Sequence, residues 1–136
     1  MVKAIQDLWI QTTNGIVIFS RVFHQTIEDQ LFGALMSALN SFAQEIANGG
    51  LSNFEIKNIR FTIIKKKNLF FIANSSKKYK EKKIIAELER VAEKFIEQYP
   101  ETINNNWDGS VDDYKIFESK IADALEDPVK KFWNDF

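Results

Sequence analysis

His24 is the single histidine of the chain and the first place to look for acid–base or metal chemistry. An imidazole titrates near neutral pH, but it needs an orienting partner or co-ligands to act. His24 stands just past an apolar run, with no obvious partner in the sequence. The chain has no cysteine, so a Cys–His dyad, a zinc–thiolate site and a disulfide are all absent. No Gly-x-Ser-x-Gly turn presents a serine nucleophile, and the five glycines form neither a phosphate-cradling loop nor a dinucleotide fingerprint. Asn104, Asn106, Asp108 and Gly109 match the first half of a calcium-binding loop. The twelfth position, which should carry a bidentate glutamate, is Lys115, so the segment reads as a solvated turn. The expectation is no catalytic residue, no cofactor and no metal.

The remaining charged groups sit where water reaches them. Glu87, Glu89, Glu93 and Glu97 recur along one helical segment, as the wet face of a helix does. Two lysine clusters, Lys65-Lys66-Lys67 and Lys77-Lys78-Lys80-Lys82-Lys83, flank opposite ends of one apolar run. They read as charged turns, or as a surface attracted to anionic lipid or to an acidic partner. The formal net charge of −1 argues against a dedicated nucleic-acid binder, which needs a strongly basic face.

These groups need a scaffold, and 136 residues suit one domain with its own core. No stretch approaches the roughly 20 apolar residues that cross a bilayer, and the first residues lack a signal-peptide core. The expected location is the cytoplasm, with any membrane contact peripheral or through partners.

Element order follows from periodicity. Leu8-Trp9-Ile10 and Ile16-Val17-Ile18-Phe19 flank Thr13-Asn14-Gly15, and Asn-Gly between β-branched runs is a strong hairpin signal. A helix is predicted from Asp29 to Ala47, with a cap between Thr26 and Asp29 and a stop at Asn48-Gly49-Gly50. Strands return between Leu51 and Ser75, with a turn at Lys65–Asn68. A second helix is predicted from Lys80 to Tyr99, with Ile84, Leu88, Val91, Ala92, Phe95 and Tyr99 on one stripe. A third is predicted from Asp112 to Glu126, followed by an aromatic tail at 128–136. The order ββαβββαα implies an α+β domain over 1–127, a five-stranded antiparallel sheet with one helix on one face and two on the other. The continuously apolar runs of the first two strands and the last predict that these three lie centrally.

The first helix is too apolar for one sheet face to cover. Leu31, Leu35, Ala38, Leu39, Phe42 and Ile46 form one stripe, expected to face the core. Phe32, Met36, Ala43 and Ala47 form a second flank, expected to stand free as a protein interface. On that reading, an aspartate at Phe32 or Met36 abolishes association and leaves the fold intact. A sheet edge near Ile18–Val22 or near Asn53–Ile59 would add pairing by strand augmentation.

Three stretches carry a family resemblance: the hairpin Leu8–Ile18, the strand pair Ile59–Ala73 with its basic turn, and the helices from Ile84 through Tyr99 to Leu125. Together they resemble the longin family of SNARE-like trafficking domains. That family includes the small adaptor chains, TRAPP subunits and the longin domain of the signal-recognition-particle receptor. Roadblock domains, also GTPase-associated, are the nearest similar fold. They typically begin with a helix, whereas few residues precede the first strand here. The resemblance implies a longin-like fold and a non-catalytic, stand-alone subunit or adaptor in a membrane-trafficking-type or small-GTPase-regulating complex. Its implied partners are a small GTPase, another longin or roadblock domain, or a second copy of the chain. The alternatives are a small-molecule sensor of profilin-like or PAS-like type and a roadblock-like GTPase regulator.

Overall fold

The structure, a computed structural model, describes residues 4–22, 27–47, 50 and 52–99. His24, Thr26, the loop 104–109, the predicted helix 112–126 and the tail 128–136 lie outside the described residues. Within them the chain runs β1 (Asp7–Thr12), β2 (Val17–Arg21), α1 (Asp29–Ile46), β3 (Asn53–Ile56), β4 (Ile59–Lys66), β5 (Leu69–Ser76) and α2 (Glu81–Gln98). The strands form one antiparallel sheet in the order β2-β1-β5-β4-β3. This is the expected α+β arrangement, with α1 and α2 as the described helices.

Alternation along the strands divides the core into two layers. Leu8, Ile10, Phe71 and Ala73 pack under α2 with Leu88, Val91, Ala92 and Phe95. Trp9, Phe70, Ile72 and Ile63 face the other way, toward Phe32 and Met36 of α1. The predicted stripe of α2 is therefore its buried face from Ile84 to Phe95, with Tyr99 half-buried at its end, and Phe95 meets Phe71 edge to face at 5.9 Å between ring centroids.

β5 lies at the centre and β1 beside it, as their apolar runs imply, but β2 is an edge strand. Its apolar run has a different origin. The register of β1 on β2 slips between Ile10 and Gln11, so Ile10 faces Phe19 while Gln11 faces Val17. This β-bulge places Ile18 and Phe19 together in the α2 layer while Val17 enters the α1 layer. Three consecutive apolar residues are thus buried on a strand that has only one neighbour.

The β1–β2 turn forms where Asn-Gly predicts it. Gly15 takes φ of +100°, which a side chain would oppose, and its N–H donates to the Thr12 carbonyl. Helix α1 begins at Glu28, whose carboxylate accepts from the N–H groups of Gln30 and Leu31.

Candidate interaction surface

Helix α1 reaches the sheet through Phe32, Gly33 and Met36. Phe32 is 5% and Met36 3% exposed, and the Phe32 ring stacks on Trp9 at 4.1 Å. The expectation that these two residues stand free is corrected. Of the other two in that flank, Ala43 is half-buried and Ala47, the C-cap, is exposed. Leu31, Leu35, Ala38, Phe42 and Ile46, expected in the core, face outward, with Leu31 60%, Phe42 66% and Ile46 71% exposed. Leu39 is half-buried at the boundary. Relative to the expectation, the helix is turned by about 100°, one residue's rotation.

The physical reason is Gly33. A Cβ there would lie 2.8 Å from Val17 Cγ2 and would overlap the Gly15 carbonyl oxygen. The helix backbone thus rests directly on the β1–β2 turn, and the buried amide of Gln11 donates to the Gly33 carbonyl at 3.2 Å. A glycine inside a helix costs about 1 kcal/mol relative to alanine. That cost, at a point where helix and turn backbones touch, is the signal that hydrophobic periodicity passes over.

The start of α1 also settles the state of one sheet edge. The Gln30 side chain accepts from the Val17 N–H and donates to the Val17 carbonyl, both at 3.0 Å. It pairs with β2 as a short piece of strand would. Ser20 Oγ donates to Asp29 Oδ2 at 2.7 Å, extending the cover along β2. β3 has no such cover among the described residues. Its inner side pairs with β4, from Asn53↔Thr62 to Ile56↔Ile59. Its outer side, four residues long, pairs with no other strand among the described residues.

Between α1 and this half of the sheet lies a groove of about 470 Å³. Aromatic rings line it: Phe61 stacks on Phe54 at 4.7 Å and stands 6.1 Å from Trp9. Leu35 and Leu39 come from the helix side, and Ile56 and Ile59 from the β3–β4 turn. Gln6, Asp7 and Asn74 supply its polar groups. Asn74 Nδ2 donates to Asp7 Oδ2 and Asn74 Oδ1 accepts from the Asp7 N–H, each at 2.9 Å. The exposed stripe of α1, the groove and the β3 edge thus border one another. Such a surface suits association, because an apolar stripe gains by burial and an open strand edge gains by backbone pairing.

Among the described residues no group of three or more His, Asp or Glu side chains is placed to hold a metal ion. No described helix is long and apolar enough to cross a membrane.

Neither a protein-family model nor a curated protein matches the sequence. Solved structures do match the fold. A roadblock/LC7 domain from Streptomyces avermitilis superimposes with a TM-score of 0.54 at 12% identity, over 71% of this chain and 85% of that one. Myxococcus xanthus MglB aligns at 15% identity with a TM-score of 0.44, over 57% of this chain. The chain covers 63% of MglB, less than two thirds of its length. The neighbour that superimposes at 0.54 is a roadblock domain, the fold that the sequence analysis placed next to longin. The five-stranded sheet with its flanking helices therefore has the α+β fold shared by roadblock/LC7 and longin-like domains.

Proposed function

We propose that this chain is a non-catalytic protein-interaction domain, a subunit or adaptor of a small-GTPase-regulating or membrane-trafficking-type complex. The observation that carries this reading is the outward stripe of α1, Leu31, Leu35, Phe42 and Ile46, beside the open edge of β3. The partner that fits both at once is another domain of the same roadblock or longin type, a second copy of this chain included. Strand pairing along β3 would extend the sheet, and the same approach would cover the neighbouring helix. The fold likeness to a roadblock/LC7 domain supports the reading by analogy. Small-GTPase binding enters through the longin resemblance of the sequence.

The test compares wild type with a Leu31→Asp/Phe42→Asp variant. Light scattering reports self-association, and affinity capture reports same-fold partners and small GTPases. Both substitutions fall on exposed positions, so circular dichroism should be unchanged while association is lost. A variant that associates as wild type does removes the α1 stripe from the interface.

A second reading is favoured by the groove. Its volume, stacked rings and Asp7–Asn74 pair would suit a small amphipathic molecule, as in a sensor domain. Ligand-dependent thermal stabilisation, abolished by Phe61→Ala, separates this reading from the first.

A further inference from the structure

The fold brings Lys57 beside the lysine cluster of 77–83. Lys57 occupies the β3–β4 turn, and Lys77, Lys78, Lys80, Lys82 and Lys83 run from the end of β5 into the first turn of α2. Ile59 pairs with Ser76, and the Lys77 N–H donates to the Asn58 carbonyl at 3.1 Å, so the turn and the β5–α2 connection touch. Arg60 reaches across to donate to the Tyr79 carbonyl at 3.0 Å. All six lysines are exposed.

The local charge is strongly one-sided. Segments 53–60 and 76–83 hold seven cationic side chains and two carboxylates, Glu55 and Glu81, in a chain whose net charge is −1. Glu55 is engaged by Lys77 at 2.9 Å and Arg60 at 3.4 Å, and Glu81 accepts from Asn53 at 2.8 Å. Lys80, Lys82 and Lys83 meanwhile crowd the positive end of the α2 dipole, where cations are unfavourable and acids are preferred. Lys80, the N-cap, makes no side-chain capping bond. Neither capping nor the helix dipole accounts for cations at this end.

Two further features indicate what does account for them. The cations are nearly all lysine, compact charges on flexible stems that respond to a diffuse negative field, unlike the planar fork of arginine that reads single carboxylates or phosphates. Beside Lys57 stand Ile56 and Ile59, cross-strand partners at the tip of the hairpin and 55% and 38% exposed. A basic field around a small exposed aliphatic pair is the two-signal arrangement that holds a protein at a charged bilayer, where either signal alone is weak.

We infer that the end of the domain formed by the β3–β4 turn and the start of α2 docks on an anionic lipid bilayer, the lysines facing the headgroups and Ile56 and Ile59 entering at their level. This goes beyond the proposed function: the bilayer surface is the β3–β4 turn and the start of α2, and it adjoins the proposed partner surface, the α1 stripe and the β3 edge, at Ile56.

The experiment is flotation of the full chain with phosphatidylcholine vesicles and with the same vesicles containing phosphatidylserine. The expected result is binding to the phosphatidylserine vesicles alone, weakening steeply as salt is raised because exposed charges are screened. A Lys80→Ala/Lys82→Ala/Lys83→Ala variant removes unfavourable charge from the helix start, so it should be at least as stable as wild type. It should bind phosphatidylserine vesicles roughly a hundredfold less tightly, at about 1 kcal/mol for each lysine near an anionic surface. Ile56→Ser/Ile59→Ser should weaken binding with little change in its salt dependence. Equal binding to both vesicle types overturns the inference, as does undiminished binding by the triple variant. Retention of wild type by an acidic polypeptide such as polyglutamate, with none by phosphatidylserine vesicles, assigns the patch to a protein partner and also overturns it.

Discussion

The carbonyl oxygen of Gly15 occupies the space in which a side chain at Gly33 would begin, and that contact decides which face of α1 meets the sheet. One glycine sits in a tight turn with φ of +100°, the other inside a helix. Together they let helix backbone rest on turn backbone and carry Phe32 and Met36 onto Trp9. In an ordinary helix interior, Gly→Ala stabilises by about 1 kcal/mol. Here the sign should reverse. Gly33→Ala should lower stability by about 1–3 kcal/mol, the usual cost of overpacking a filled site, read as a lower midpoint of chemical unfolding. A raised midpoint would mean that the helix is not seated on Gly15.

The neighbouring pair Leu35 and Met36 tests the same seating from the side chains. Leu35 is 48% exposed and Met36 3%. Met36→Asp would bury a carboxylate among Trp9, Phe32 and Phe70, at a cost of several kcal/mol, comparable to the whole stability of a small domain. Leu35→Asp should leave the unfolding midpoint within about 0.5 kcal/mol of wild type. Circular dichroism and thermal unfolding of the two variants suffice. The reverse pattern would restore the orientation that hydrophobic periodicity suggests.

These two residues also mark the limit of what the sequence makes legible. Element order, the Asn14-Gly15 turn and the buried stripe of α2 are encoded locally. Ile84, Leu88, Val91 and Phe95 alternate with lysines and glutamates, which leaves α2 one rotation to adopt. α1 has no such contrast. Its apolar residues span more than half the circumference, so two rotations satisfy the pattern equally well. The choice falls to a contact between residues 18 positions apart, visible in the sequence as a glycine within a helix. The candidate surface was legible as an excess of apolar residues on α1, while its membership was not. The identity of the open edge was half legible. Both edges follow from the strand count, but the cover over β2 depends on the Gln30 carboxamide reaching Val17. The basic end of the domain needed the register of β4 on β5 to bring Lys57 to Lys77.

Thr62 offers a stabilising change. It is fully buried in β4, opposite Ala73 of β5 and Asn53 of β3, and its hydroxyl makes no hydrogen bond among the described residues. A buried hydroxyl without a partner costs about 1–3 kcal/mol, whereas a methyl group of similar size has no such penalty. Thr62→Val should raise stability by about 1 kcal/mol and suits a strand equally well. The unfolding midpoint in denaturant reads this directly. A lower midpoint would show that the hydroxyl is satisfied in solution.

Glu55 and Lys77 give a prediction in pH. The hydrogen bond from Lys77 is the main influence holding the Glu55 carboxyl below its ordinary value of 4.5. Partial desolvation opposes it, and the charges of Lys77 and Arg60 reinforce it. A carboxyl whose value is depressed on folding stabilises the folded state above the unfolded value, and that contribution fades as the pH falls through the folded one. The window therefore opens near pH 4.5 and extends below it. The contribution should be small, because Glu55 is exposed and solvent screens the pair. A carboxyl titration followed by NMR should place the Glu55 midpoint below 4.5 in wild type. Lys77→Ala should move it upward, though not the whole way, since Arg60 remains 3.4 Å from the same carboxylate. High salt should shift the wild-type midpoint in the same direction by screening the pair. A midpoint indifferent to both changes would mean that Lys77 does not hold Glu55 in solution, and that the acid stands free among the lysines of the basic end.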